Sequence, residues 1–500
     1  MNPPPVLIPA TAPAAAAPAA VPHDFPDRMS PILVKELRQG LRQPTFVIAF
    51  LCLQGLLCIV VMGAVLSGSS GSQAALRAGQ TMSSFLFVLL GIVILVAQPL
   101  RGLNALASEI KNDTLDLLLI TRLSAWRITF GKWLGLVSQS ALLVVAVLPY
   151  LIMRYYLGGM RLFPELMGLS FMFVVSISIT AVMVGFSSTP SVLLRGLVAA
   201  GWVVLLFTFM VESRLLRMLV GSSSSWDFPP PATIDEYRIL ASTVLMCLFF
   251  GYYLLEMGAT NISPAAENRS TLKRLLGVAM LAVLLLLVPE GGAFLGVSWL
   301  LVVALLVIDA VSERPDFTAS VLRPFRRLGP LAKPVRLLLL PGWPSGLRFA
   351  GVLGVVAFLL GQAGYLVEES GIDEFIAFVT LWFACLLMPA AVRVWFLGKI
   401  RNPFTGYMVA LIGMLVVGLV FALIADTTTT TEILFWVTPI CPVCGFLTLD
   451  NFPYRDEEEV FLLGMIICLA YWVAAFVRSF PHSRRLAELD RTASMDQTNQ

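Results

Sequence analysis

The chain has 500 residues, 58% of them hydrophobic and 13% charged, with a mean hydropathy of +0.85. Soluble domains are about 45–50% apolar and about 25% charged, and surface scales too steeply with size for a soluble fold to hide this much apolar side chain. Together these figures exclude a cytosolic enzyme, a nucleic-acid binder and a secreted disulfide scaffold, whereas the net charge of +3 excludes nothing.

In chain order, residues 1–28 come first. They are Pro/Ala-rich with almost no charge, a composition that predicts a disordered tail. Without a basic start and a continuous apolar stretch, it does not read as a signal peptide.

Next comes an amphipathic segment. Leu33, Leu37 and Leu41 recur every four residues, with Lys35, Arg38 and Arg42 flanking them. Pro31 suits a first helical turn and Pro44 marks a break. The pattern predicts a helix lying on the inner leaflet; the plainer alternative is a charged anchor for the first span.

A bilayer core about 30 Å thick needs about 20 apolar residues per helix. Such runs fall near residues 46–66, 81–100, 133–153, 165–186, 196–211 and 239–260, and again near 275–289, 293–309, 347–367, 375–398, 406–425 and 460–477. They lack the alternation of barrel strands, so helices are expected. The expected fold is an all-α, polytopic helical membrane protein with about twelve spans. The runs at 275–289 and 293–309 are short and parted by Glu290-Gly291-Gly292, so a re-entrant pair is an alternative. The stretch 432–449, broken by Pro439, Pro442 and Gly445, reads as interfacial or re-entrant.

With the N-terminus in the cytoplasm, 27 of the 34 Lys and Arg residues fall in inner segments. That asymmetry predicts cytoplasmic N- and C-termini. Residues 479–500 then form a short polar cytoplasmic tail.

Between spans two and three lies a long inner loop. Asp113 suits a helix cap, with Asp116 at the third helical position. Leu115, Leu118 and Leu119 share one side of the helix that follows, and Ser124 suits the cap of a second helix. An exposed leucine face of this kind can plug a groove in another protein. The same leucines could instead pack beneath their own spans, and periodicity alone favours that.

Here the sequence resembles the permeases of the ABC-2 type, the membrane subunits of ATP-driven exporters. Their loop carries a Glu, a basic residue, Gly-Thr-Leu-Glu-Leu-Leu-Leu, Thr-Pro-Leu-Ser and a final Gly-Lys. This chain has Glu109, Lys111, Thr114, Leu115, Asp116, Leu117, Leu118, Leu119, Thr121, Leu123, Ser124, Gly131 and Lys132 in matching order, and departs at Asp113 and Arg122. The resemblance covers residues 29–274, a permease module of a surface helix and six spans. It implies no cofactor on this chain, a separate ABC-type ATPase subunit that binds ATP, a homo- or heterodimer of permease modules, and a place in the cell membrane. The loop would be the ATPase-coupling element, with the surface helix beside it. Consistent with this, the sequence has no phosphate loop of its own: Trp126 and Trp133 stand where Gly131-Lys132 would need a glycine and a hydroxyl residue.

Residues 275–478 form a second membrane module with no copy of that loop. The basic, proline-rich loop 310–346 could contact anionic lipid or the ATPase, or simply be solvated. Glu256, Asp309 and Arg393 lie near span ends and read as headgroup anchors. Cys441-Pro442-Val443-Cys444 is the one cysteine pair with chemical spacing; a disulfide between Cys441 and Cys444, a metal contact and a packed turn all remain open. A lone Cys-x-x-Cys is weak support for metal, so no metal site is predicted. The two histidines, His23 and His482, fall in tails, which removes His-based catalysis. A lipid- or glycan-processing enzyme using Asp227, Asp235 or Glu236, or a membrane scaffold without transport, are the alternatives to a permease.

Overall fold

The computed structural model describes residues 31–69, 71–111, 124–157, 162–212, 233–264, 267–289, 291–314, 318–322, 325, 332–367, 372–398, 400, 402–427, 437–447 and 457–498. The chain is an all-α polytopic membrane protein. Among the described residues eleven helices are long and apolar enough to cross a membrane.

Helix α1 (Pro31–Arg42) runs into α2 (Pro44–Gly68), the break falling at Gln43 and Pro44. Then come α3 (Ser72–Gly91), a π-helical turn over Ile92–Ala97, α4 (Gln98–Gly102) and α5 (Ala107–Lys111). Four long helices follow: α6 (Ala125–Leu157), α7 (Leu162–Phe186), α8 (Val192–Glu212) and α9 (Ile234–Ile262). The second half comprises α10 (Ser270–Leu287), α11 (Ala293–Ser312), the short α12 (Ala332–Leu339), α13 (Trp343–Gln362), α14 (Ile372–Trp395), α15 (Pro403–Thr427), the six-residue α16 (Pro442–Leu447) and α17 (Glu457–Thr498).

The fifth run lies in α8, a helix of 21 residues. Two expectations need correction. The two runs around Glu290 are not a re-entrant pair but two full helices, α10 and α11; left-handed Gly291 and Gly292 make the turn between them. Residues 479–498 continue α17 instead of forming a loose tail. Residues 1–30 lie outside the described residues.

The first half packs α2, α3, α6 and α7 around Leu53, Leu57, Leu86, Leu90, Leu143 and Met172. In the second half, α10, α11, α13, α14 and α17 pack around Trp299, Leu306, Leu353 and Phe383, with Tyr253 of α9 inserted among them. Leu194, Met257 and Phe404 bring α8, α9 and α15 together, so the two halves share buried side chains.

Helices α7 and α9 cross at backbone contact. A Cβ built on Gly258 would stand 2.7 Å from the Gly185 Cα, and one on Gly185 would strike the Leu254 carbonyl. Small residues permit such approach in apolar surroundings, where packing rather than the hydrophobic effect holds helices together.

The π-helical turn is also explained by its neighbours. Widening a helix frees carbonyls that lipid cannot satisfy. The Ser176 hydroxyl donates to the Ile94 carbonyl at 2.6 Å, and the Trp202 indole N–H donates to Leu95 at 2.7 Å.

Candidate functional site

At the end of the bundle where α1 lies, three elements meet on one lysine. Lys132, in the second turn of α6, is 8% exposed. Its Nζ lies 2.8 Å from Glu109 Oε1 on α5 and 3.1 Å from Glu36 Oε1 on α1. Desolvating one cation is costly unless it is well paired; two carboxylates meet that condition.

The backbone makes room for this arrangement. Glu36 and Gly40 are one turn apart on α1, and Gly135 and Gln139 are one turn apart on α6, so the pairs face each other. A Cβ on Gly135 would stand 3.0 Å from the Glu36 Cβ, and one on Gly40 would strike the Gln139 side chain. Gln139 in turn accepts from Arg101 at 2.6 Å, and Arg101 also donates to Gln98 at 2.8 Å and Gln43 at 2.6 Å. Four segments are thus cross-linked: α1, the α1–α2 junction, α4 and α6.

The start of the long loop is anchored as well. Leu106 is fully buried, and its N–H donates to the Ser187 hydroxyl at 3.1 Å. Ser187, Ser188 and Thr189 close α7 by returning their hydroxyls to carbonyls three residues back. Asn261 of α9 donates to Ser188 at 3.0 Å.

Of the loop residues singled out in the sequence, Glu109 and Lys132 come together. Lys111 is exposed, Gly131 is buried, and Ser124 accepts from the Arg127 N–H at 3.4 Å as a cap should. Asp113, Thr114, Leu115, Asp116, Leu118 and Leu119 lie outside the described residues. On α1, Lys35, Arg38 and Arg42 are exposed. The leucine stripe is divided: Leu33 and Leu37 are half-buried beside Glu36, whereas Leu41 is 38% exposed. The face that α1 gives to the protein therefore carries a carboxylate and a glycine as well as leucines. Leucine spacing could not reveal Glu36, because its partner lies 96 positions away. Only the packing shows the match of small to polar residues, Gly40 against Gln139 and Gly135 against Glu36.

A second charged cluster lies at the same end, in the other half. Lys273 Nζ sits 2.7 Å and 2.9 Å from the two oxygens of Asp309. The Tyr253 hydroxyl donates to Asp309 at 2.9 Å. Arg274 is 2.7 Å from Glu313 and also donates to the Leu338 and Leu340 carbonyls. Gly342 N–H donates to Glu313 at 3.0 Å. Burial alone would raise the Glu313 carboxyl, but Arg274, Lys273 and the Gly342 amide outweigh it, and the group sits below the usual glutamate range. Two cations and two carboxylates thus neutralise each other, fastening α10, α11 and the α12–α13 turn together.

The expectation of headgroup anchors is corrected for all three residues. Glu256 is 1% exposed and bound to Arg269 at 2.7 Å; Asp309 is held by Lys273 and Tyr253. Their counterions come from the turn before α10 and its first turn, where basic residues had counted only as orienting charge. Arg393 is buried too, with its guanidinium 5.5 Å from the Trp343 ring. A polar cavity of about 300 Å³ opens beside Lys273, Asp309 and Glu313, with Asn261 and Asn402 on its wall.

The remaining candidates are scattered. Cys441 and Cys444 are buried free thiols, packed with Met414 and Val443. The Cys444 thiol donates to Cys441 and brings its titration down to about 7, while Cys444 itself is raised. His482, expected in a loose tail, packs its ring 5.5 Å from Trp343. Asp235 and Glu236 occupy the first turn of α9, where Asp235 accepts from Arg238 at 3.0 Å; Asp227 lies outside the described residues. Among the described residues no group of three or more His, Cys, Asp or Glu is arranged to hold a metal ion.

Fold and site together define a multi-pass helical membrane protein whose amphipathic helix is ion-paired to Lys132, which also holds Glu109 at the other end of the segment between α5 and α6. No family model matches the chain, and neither a curated protein nor a solved structure matches it.

Proposed function

We propose that this chain is the permease subunit of an ATP-driven exporter of the ABC-2 type, residing in the cell membrane with both termini in the cytoplasm. The carrying observation is the bridge from Glu109 through Lys132 to Glu36. Glu109 and Lys132 open and close the loop pattern that resembles ABC-2 permeases, and Glu36 lies on the surface helix expected beside it. One cation joining all three supports a unit in which a push on the loop reaches α1 and α6 together.

In this reading a separate ATPase binds the loop 109–132 and α1, and its two nucleotide states must differ in their contacts there. ATP is held by that partner, this chain catalyses no reaction, and paired permease modules complete the assembly. The basic surface of α1 (Lys35, Arg38, Arg42) supports an inner-leaflet location.

The test is purification from the native membrane in mild detergent. A co-purifying ATPase with a phosphate loop is expected, and its absence overturns the proposal. Leu118→Asp, within the loop, should abolish that co-purification while the protein still inserts.

A further inference from the structure

Helices α13, α14 and α17 leave an apolar groove of about 660 Å³ on the outside of the second half. Val355 and Leu469 on its walls are 60% exposed. Gly351 keeps the floor low, since a Cβ there would stand 3.0 Å from the Trp472 indole nitrogen. That indole N–H is already used, donating to Leu347 at 3.1 Å. The groove follows α13 from Arg348 to Phe358. Ten residues of helix rise about 15 Å, half of a hydrocarbon core about 30 Å thick. Its length therefore matches the acyl chain of a single leaflet.

One charged group stands on this wall. Arg348 lies at the end of the groove nearest the ion-paired turns, beside Leu337 and Leu338 of α12. Its guanidinium lies 5.8 Å from the Phe476 ring, and among the described side chains it has no carboxylate partner. Arg348 is half-buried on α13, whereas the buried cations of α10, Lys273 and Arg274, are each paired with an acid. A guanidinium offers a fork of donors that matches a phosphate in two parallel hydrogen bonds. Basic positions between helices near the membrane surface suit anionic lipid headgroups.

We propose that this groove is a binding site for one phospholipid of net negative charge, with its phosphodiester on Arg348 and one acyl chain along Gly351 and Val355. Charge complementarity selects the lipid, and apolar contact holds its tail.

The experiment is native mass spectrometry of the full-length protein, released from detergent after exposure to phosphatidylglycerol or phosphatidylcholine. The wild type should retain one phosphatidylglycerol about fivefold more strongly than phosphatidylcholine, because both offer the same phosphodiester but choline cancels the net charge, and one basic residue facing anionic lipid is worth about 1 kcal/mol. Arg348→Gln should erase that preference and Arg348→Lys should keep part of it. Val355→Trp, at an exposed position, should lower retention of both lipids. Preference unchanged in Arg348→Gln, or retention unchanged in Val355→Trp, overturns the proposal. So does competition by inorganic phosphate as effective as that by the lipid. A dimer converted to monomer by Val355→Trp, with lipid retention unaltered, would assign the groove to a second copy of the chain instead.

Discussion

Lys132 Nζ stands 2.8 Å from Glu109 Oε1, so one ion pair closes the two ends of a loop 23 positions apart. Glu36 shares the same cation. Lys132→Met leaves two carboxylates facing each other in a half-buried place, and about 3 kcal/mol of stability should be lost. Glu109→Gln should cost less, because Glu36 still neutralises the lysine. Thermal unfolding of both single variants and the double variant gives the coupling, expected at about 0.5–3 kcal/mol. Strict additivity would show that the pair does not act as a unit.

The α7–α9 crossing gives a steric prediction. Gly258→Ala sets a methyl group against the backbone of Gly185, which has no side chain to yield. The variant should accumulate poorly or unfold well below the wild type, as overpacking at a backbone contact costs about 1–3 kcal/mol or more. Gly413→Ala on α15, with nothing within 4 Å of the new methyl, serves as the control and should be neutral. Fluorescence-detected size-exclusion chromatography over a temperature series separates the two outcomes.

Lys273 and Asp309 pose a sharper version of the problem, because both are buried. Asp309→Asn strips the buried ammonium of its closest counterion and should cost about 3–5 kcal/mol. Replacing both, as Lys273→Met with Asp309→Leu, removes the charge altogether and should recover much of that loss. Unfolding midpoints in detergent decide the matter. A double variant weaker than the single one would mean the pair is held for geometry rather than neutrality.

Glu313 links this cluster to pH. Its folded-state carboxyl is shifted down, so its contribution is complete above the unfolded glutamate value, about 4.3. That contribution is lost as pH falls through the lower folded value. Stability should therefore drop on acidification below about pH 4.3, and Glu313→Gln should be less stable at pH 7 but less sensitive to acid. Melting temperatures between neutral and strongly acidic buffer test the sign.

Cys441 should titrate near 7 because the Cys444 thiol donates to it. In a chain whose other cysteines are serine, except Cys444, alkylation of Cys441 should rise with a midpoint near pH 7. Cys444→Ala should move that midpoint upward. Mass spectrometry of the alkylated peptide reads it directly.

The helical spans were legible in the sequence because apolar runs of twenty residues have few other uses. Even α10 and α11 were visible, though Glu290-Gly291-Gly292 suggested a shallower fold; the left-handed glycines build a tight turn between two complete helices. What composition could not convey was partnership. Lys273 and Arg274 look like flanking charges that orient a span, yet both point inward to acids 36 and 39 positions away. Glu36 was hidden for the same reason: periodicity reports which face is apolar, not which distant residue a polar one will meet. Glu109 and Lys132 were found through a resemblance, and their direct contact emerged only from the packing of α1 and α5 against α6.

The last helix extends well past its apolar stretch. Its apolar stretch ends at His482, but the helix continues to Thr498, sixteen residues further. At about 1.5 Å per residue that is roughly 24 Å of helix beyond the apolar segment. A reporter or affinity handle inserted near Thr498 would therefore be held at that distance from the apolar segment by continuous helix, with no added linker.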